Sequence, residues 1–243
     1  METLHENKPS LVKGSENNRR DFLKKGIILG TLTGITGMGL VTACKEEGEQ
    51  EVSPSEDLMR EHGVLNRILL IYDTCKLHLV NNEQFELEVL NNSAQIIRTF
   101  IEDYHEKLEE DYLFPRFEKA NQLTELVQVL RSQHKAGRIL TDQIIQYGKM
   151  KSLADATESQ KLMKLLTDFN GMYRPHEARE DTVLFPAIRK IVSKNEYFAL
   201  GEEFEEKEHE LFGEDGFDTM VEKVANIEKQ LNIYDLSQFT PKL

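Results

Sequence analysis

The chain has 243 residues and a formal net charge of −13, from 43 acidic and 30 basic residues. A surface of this sign repels nucleic-acid phosphates, so the composition excludes DNA and RNA as expected partners.

The first 43 residues resemble a cleaved export signal. A charged run at 19–24 reads R-R-x-F-L-K and is similar to a twin-arginine signal. The uncharged stretch at 26–41 is shorter than the roughly 20 residues that span a bilayer. The sequence at 41–44 resembles a lipobox that ends in Cys44. We therefore expect export by the twin-arginine route and an extracytoplasmic protein, in the periplasm or on the outer membrane face. The alternative is a plain N-terminal anchor helix.

Removal of residues 1–43 would leave 200 residues, enough for one domain with its own hydrophobic core. Lipid on Cys44 would hold this part at a membrane surface, and the polar residues 44–56 are typical of a flexible tether. Cys75 then has no partner for an intrachain disulfide. Its apolar neighbours at 68–72 favour a buried, inert thiol over a reactive one.

The remaining sequence is predicted to be all-α. It shows helical periodicity, few breakers and no run typical of a strand. The predicted long helices cover about 56–80, 86–119 (with a start at Asn91 as the alternative), 123–150 and 158–192. Their short connections favour an up-down-up-down four-helix bundle over residues 57–192. Two further helices, over about 197–211 and 218–231, would form a C-terminal extension over residues 193–243.

An eleven-residue phrase occurs twice in the bundle, 71 residues apart. The copies begin at His105 and His176, and both read H-E-x-x-E-acid-x-x-L-F-P. Two other histidines, His62 and His134, are 72 residues apart. Each half therefore contains a lone His and then a His-x-x-x-Glu, which predicts a pseudo-twofold axis along the bundle.

The spacing within each phrase predicts a metal site. Residues four apart on a helix share one face, so His105 lies beside Glu109 and His176 beside Glu180. A carboxylate can bridge two ions, and two bridges with two imidazoles per ion give four protein ligands to each metal. Imidazole with carboxylate suits iron, with manganese or zinc as alternatives. The predicted ligands are His62, His105, Glu109, His134, His176 and Glu180. By contrast, His78 and His209 fit ordinary surface or core positions.

Other positions also recur in the two copies. Glu106 and Glu177 follow the histidines, about 100° around the helix, which favours a solvated or supporting role over metal ligation. The Leu-Phe pairs at 113–114 and 184–185 are expected to pack in the core and to seal the pocket. Pro115 and Pro186 predict a bend that both halves share.

At these residues the chain resembles the hemerythrin-like (HHE cation-binding) family, over about residues 57–192. The resemblance implies a bundle that holds two non-haem iron ions with an oxo or hydroxo bridge. It also implies that the four histidines are terminal ligands and that Glu109 and Glu180 bridge the irons. Oxygen-carrying members use a fifth histidine, whereas Arg138 stands four residues after His134 here. The ligand set is more similar to the branch with iron–sulfur-cluster repair proteins and iron-sensing domains.

The resemblance implies two main functions. The first is an exported protein that binds or senses O2, NO or iron. The second is a di-iron oxidoreductase, such as an oxidase, a peroxidase acting on peroxide, or an NO-reducing enzyme. Iron storage or delivery is less favoured, because ferritin-like bundles use Glu-x-x-His pairs, whereas this chain has His-x-x-x-Glu. A purely structural bundle is the remaining alternative.

Overall fold

The computed structural model describes residues 52–242, and this part of the chain is helical without strands. The predicted signal peptide, Cys44 and most of the predicted tether lie outside the described residues. The bundle helices are α1 (Pro54–Asn81), α2 (88–120), α3 (Thr124–Gly148) and α4 (156–188). Two further helices, α5 (Lys194–Phe212) and α6 (Gly216–Gln230), precede a short 3-10 turn, Leu236–Phe239.

The first four helices form the predicted bundle. Helix α1 packs against α2 and α4, and α3 also packs against α2 and α4. The pairs α1/α3 and α2/α4 are therefore diagonal, as an up-down-up-down order requires. The extra C-terminal helices are confirmed too: α5 and α6 pack on α1, and α6 also contacts α2.

Local sequence explains the helix ends. Ser53 caps α1 in a capping box with Glu56, and Pro54 occupies the first turn, so α1 begins two residues before the predicted Glu56. Asn82 and Asn121 end α1 and α2 in the left-handed conformation, which asparagine tolerates better than most residues. The side chain of Asp155 caps the N-terminus of α4.

Helices α2 and α4 contain wide π-helical turns between their α-helical parts. In α2 the π segments are Ile97–His105 and Glu109–Leu113, and in α4 the π segment is Glu180–Leu184. The α-helical parts of these two helices are Glu88–Ile96, Glu106–Leu108, Phe114–Ala120, Ala156–Arg179 and Phe185–Ile188. Single π turns, such as Glu109–Leu113 and Glu180–Leu184, occur often at functional sites.

The π turns explain the recurring prolines. The Phe114 N–H donates to the Glu109 carbonyl and the Phe185 N–H to the Glu180 carbonyl, each five residues back. Pro115 and Pro186 follow directly, so a widened turn in both halves accommodates the residue that lacks an N–H. Pro175 lies inside the α-helical part of α4 and is exposed.

The extension is joined to the bundle by aromatic and ionic contacts. Phe212 packs edge-on against Phe100 and Tyr104 of α2, with ring centroids 5.6 and 5.4 Å apart. Arg67 of α1 donates two hydrogen bonds to the carboxylate of Glu228, at 2.9 and 2.6 Å. Among the helices described, none has the length and apolar character to cross a lipid bilayer.

Cys75 is fully buried in α1, and burial raises its pKa to about 12. In the full chain carrying Cys44→Ser, this thiol should resist alkylation at pH 8. The thiolate is the reactive form, and moving its pKa from 9.0 to about 12 lowers its fraction about 1,000-fold. Labelling should reach one thiol per chain only in denaturant. Rapid labelling of the folded chain would contradict the burial.

Gly137 of α3 makes room for Tyr173 of α4. A Cβ added at Gly137 would stand 2.1 Å from the Tyr173 hydroxyl oxygen. Gly137→Ala should therefore lower the free energy of unfolding by about 1–3 kcal/mol through overpacking. The matched control is Gly171→Ala in α4, where a Cβ meets nothing within 4 Å. This control should raise the free energy of unfolding by up to about 1 kcal/mol, since alanine favours helix. Equal effects in urea unfolding would disprove the contact.

Candidate metal centre

The six predicted ligand residues meet inside the bundle. Each is at most 4% exposed. They come from all four helices: His62 from α1, His105 and Glu109 from α2, His134 from α3, and His176 and Glu180 from α4. The repeat in the sequence is therefore a repeat in space.

The four imidazoles form two pairs. The first histidine pair is His62 and His105, with ring centroids 4.7 Å apart. The second histidine pair is His134 and His176, with centroids 5.1 Å apart. Each pair joins the two helices of one half of the repeat.

The two carboxylates lie between the pairs. Glu109 Oε2 is 3.9 Å from His105 Nε2 and 3.4 Å from His134 Nε2. Glu180 Oε2 is 3.1 Å from His176 Nε2 and 3.5 Å from His62 Nε2. Each glutamate thus faces one histidine of its own helix and one histidine of the other pair, as a bridging carboxylate would.

Four of the six residues form the tightest group. One ligand atom from each of Glu109, His134, His176 and Glu180 lies within 4.8 Å of the others. The first histidine pair stands outside this group but keeps its contacts with the same two carboxylates. Two ligand atoms about 2 Å from a shared ion would lie about 3 to 4 Å apart, so the distances of 3.1 to 3.9 Å between histidine nitrogens and glutamate oxygens fit metal coordination.

The outer nitrogen of every imidazole is held by a neighbouring helix. His62 Nδ1 lies 2.8 Å from Asp181 Oδ1, and His134 Nδ1 lies 3.1 Å from Glu110 Oε1. His105 Nδ1 lies 2.6 Å from Glu61 Oε2, and His176 Nδ1 lies 2.9 Å from Gln133 Oε1. These contacts turn all four Nε2 atoms toward the carboxylates and fix the tautomer that can bind metal.

Sequence reasoning missed these supporting residues. Glu110 and Asp181 are the acid that follows each predicted bridging glutamate, so their recurrence in the phrase was a usable signal. Each holds the lone histidine of the other half. Glu61 and Gln133 also occupy matching positions, directly before the lone histidines, but their residue types differ and hide the match.

Glu106 and Glu177 support the site and are buried, so the solvated alternative was wrong. Glu106 lies 2.8 Å from Arg138, and Glu177 accepts a hydrogen bond of 2.9 Å from Asn66. Arg138 and Asn66 each stand four residues after a lone histidine, so this contact recurs too. Tyr173 adds a hydrogen bond of 2.9 Å to Glu106.

The phenylalanines of the two phrases close the site. Phe114 stacks on His134 and Phe185 on His62, each with ring centroids 5.5 Å apart and planes 27° apart. Both phenylalanines are fully buried. The prediction that the Leu-Phe pairs pack in the core is therefore confirmed, and one ring of each pair covers an imidazole.

The inward-facing atoms lack hydrogen bonds. Both carboxylate oxygens of Glu109 and Glu180, and the Nε2 atoms of His105 and His134, are buried without a hydrogen-bond partner among the described residues. Burial and the negative charge of Glu180 raise the pKa of Glu109 well above its usual value. Unpaired buried charge of this kind costs several kcal/mol, so the arrangement calls for cations.

His62 shows the same need for positive charge. Burial lowers its pKa, but the hydrogen bond to Asp181 and the negative charges of Glu180 and Asp181 outweigh burial and raise it to about 10. A proton on His62 supplies part of the charge that the carboxylates require. Metal binding needs neutral imidazole, so an ion would replace this proton.

Comparison with known proteins agrees with the geometry. The sequence profile of the hemerythrin HHE cation binding domain matches residues 53–188. Uncharacterized proteins of Mycobacterium tuberculosis and Mycobacterium bovis are 51% identical over 195 residues, which is 80% of this chain and 76% of each relative. No solved structure matches significantly. Together with the buried His and Glu cluster that fits a metal site, these matches show that the chain belongs to the hemerythrin HHE cation-binding family.

Proposed function

We propose that this protein holds two iron ions and uses them to bind or sense a small diatomic molecule, O2 or NO, or iron itself. His62, His105, His134 and His176 would be the terminal ligands, and Glu109 and Glu180 would bridge the ions. The observation that carries the proposal is the orientation of the imidazoles. Every Nδ1 has a partner outside the cluster, and every Nε2 faces a buried glutamate.

The surrounding residues have defined tasks in this proposal. Iron would supply exchangeable coordination positions and one-electron chemistry. The stacked Phe114 and Phe185 keep bulk water away from the imidazoles. The four imidazole rings are held in place by Asp181, Glu110, Glu61 and Gln133. Little reorganisation would therefore accompany metal binding. Such a closed, apolar-walled site admits a small uncharged molecule more readily than a large or charged one.

A second candidate, a di-iron oxidoreductase, is favoured by one specific contact. The Tyr104 hydroxyl donates a hydrogen bond of 2.9 Å to Glu61 Oε1, and Glu61 Oε2 holds His105 Nδ1. Tyr104 is 1% exposed. A buried tyrosine joined to a ligand through a carboxylate can donate a proton and an electron, which a carrier or a sensor does not need.

The proposed location rests on the leader alone. We propose export by the twin-arginine route and attachment to a membrane through lipid on Cys44, on the outer face or in the periplasm. The twin-arginine route carries proteins that are already folded, which suits a protein that acquires its metal in the cytoplasm. The buried ligand set supports this order, because the site assembles from all four helices of the folded bundle.

The ligand assignment predicts the metal content of variants. The purified chain should contain two irons, and Glu109→Ala or Glu180→Ala should reduce this to one or none, because each removes a bridge. The control is His209→Ala on α5, outside the cluster, which should keep two irons. Metal analysis and the near-ultraviolet absorption of a bridged ferric pair measure the outcome. Two irons in both glutamate variants would rule out the assignment.

The reactivity of the reduced protein separates the two candidates. For a binding or sensing protein, stopped-flow mixing with O2 or NO should give a stable complex, with one molecule bound per two irons and no further consumption. For an oxidoreductase, O2, peroxide or NO should be consumed repeatedly in the presence of reductant.

Tyr104→Phe should then slow turnover at least tenfold, if the hydroxyl donates its proton in the limiting step. Unchanged turnover in that variant would remove the tyrosine from the mechanism.

A further inference from the structure

The two histidine pairs have different electrostatic surroundings despite their matching contacts. Glu61 holds His105 of the first pair at 2.6 Å, whereas Gln133 holds His176 of the second pair at 2.9 Å. These two supporting residues occupy the same position of the repeat. One offers a carboxylate and the other a neutral amide.

A second difference lies four residues after each lone histidine. Arg138 stands 2.9 Å from Glu110 Oε1, the same oxygen that lies 3.1 Å from His134 Nδ1. The guanidinium therefore offsets the charge of the carboxylate that supports the second pair. The matching residue near the first pair is Asn66, whose neutral amide donates to Glu177.

Both differences place more negative charge beside the first histidine pair than beside the second. The first pair is supported by two carboxylates, Glu61 and Asp181. Near the second pair, two carboxylates lie beside His134 Nδ1, Glu110 at 3.1 Å and Glu106 at 3.9 Å, and Arg138 forms ion pairs with both. The other histidine of this pair is supported by the neutral amide of Gln133, so the second pair has one net negative charge beside it and the first pair has two. Cations bound at the centre favour the ionised form of nearby carboxylates, and the buried setting strengthens these interactions relative to water.

We infer that the chain gives its two iron positions different reduction potentials, with the ion at the second histidine pair reduced first. This inference rests on the proposed di-iron centre. A carboxylate partner makes an imidazole a stronger electron donor and stabilises the more highly charged ion. An ion held by the first histidine pair would therefore be stabilised as ferric iron, and an ion held by the second pair would accept the first electron. Glu61 and Gln133 are positioning residues that act through the imidazoles.

In an iron-loaded chain, one electron from a chemical reductant such as dithionite would convert one ferric ion to ferrous, and the ferrous ion would be the one held by the second histidine pair. A second electron would reduce the ion held by the first histidine pair. The difference between the reduction potentials of these two steps measures the asymmetry that the supporting residues impose.

The test is a reductive titration of the iron-loaded full chain, followed by absorption and by the electron paramagnetic resonance of the mixed-valence form. Gln133→Glu should lower the potential of the first step, because it gives the second pair a carboxylate partner. Glu61→Gln should raise the potential of the second step. Each variant should therefore reduce the difference between the two reduction potentials. A smaller difference should lower the formation constant of the mixed-valence form about tenfold, so that less of this form accumulates.

A control variant tests whether the effect depends on the position of the added carboxylate. Gln128→Glu makes the same charge change on an exposed face of α3, five residues before Gln133, and should leave the separation unchanged. Gln133→Glu tests the inference independently if Glu61→Gln does not fold. If Gln133→Glu binds two irons per chain and the difference between its two reduction potentials is unchanged or larger, this inference is overturned and the proposed centre stands. Fewer than two irons in the unmodified chain would overturn both.

Discussion

The structure depends on one electrostatic constraint: two carboxylates and four imidazoles converge where water is excluded. The inner oxygens of Glu109 and Glu180 have no hydrogen-bond partner among the described residues, although almost every buried polar group in a folded protein has one. Positive charge must satisfy them, either as protons on the histidines or as metal ions. The surrounding helices are arranged around this requirement, with each ring held from outside and two phenylalanines closing the space.

The fold, and the convergence of the six predicted ligand residues inside it, could be predicted from the sequence because both follow from short-range patterns. Helical periodicity gave the bundle, and the four-residue spacing placed each glutamate beside its histidine. The supporting contacts were harder to predict because they cross between helices. The pairing of Asp181 with His62 depends on which helices are neighbours and on their register, and the phrase marks only that an acid recurs. Glu61 and Gln133 carry no sequence signal, since a match between an acid and an amide is invisible without the structure.

The prolines show how a local rule was incomplete. Pro115 and Pro186 were expected to bend their helices, and the structure adds a wide turn that starts at each glutamate and ends just before the proline. This turn shifts the residues that follow it around the helix axis, relative to a continuous α-helix. The phenylalanines that precede the prolines thereby stack on the lone histidines of adjacent helices. A residue that disfavours regular helix thus contributes to the shape of the pocket.

The unpaired inner carboxylates have a consequence for the lifetime of the protein. An ion that binds the folded chain and not the unfolded chain adds RT ln(1 + [M]/Kd) to stability, about 4 kcal/mol when free metal exceeds Kd a thousandfold. Chains that fold without metal keep the electrostatic penalty and open more often, which exposes them to proteases. The amount of this protein in a cell would then follow the supply of its metal, even at a constant rate of synthesis.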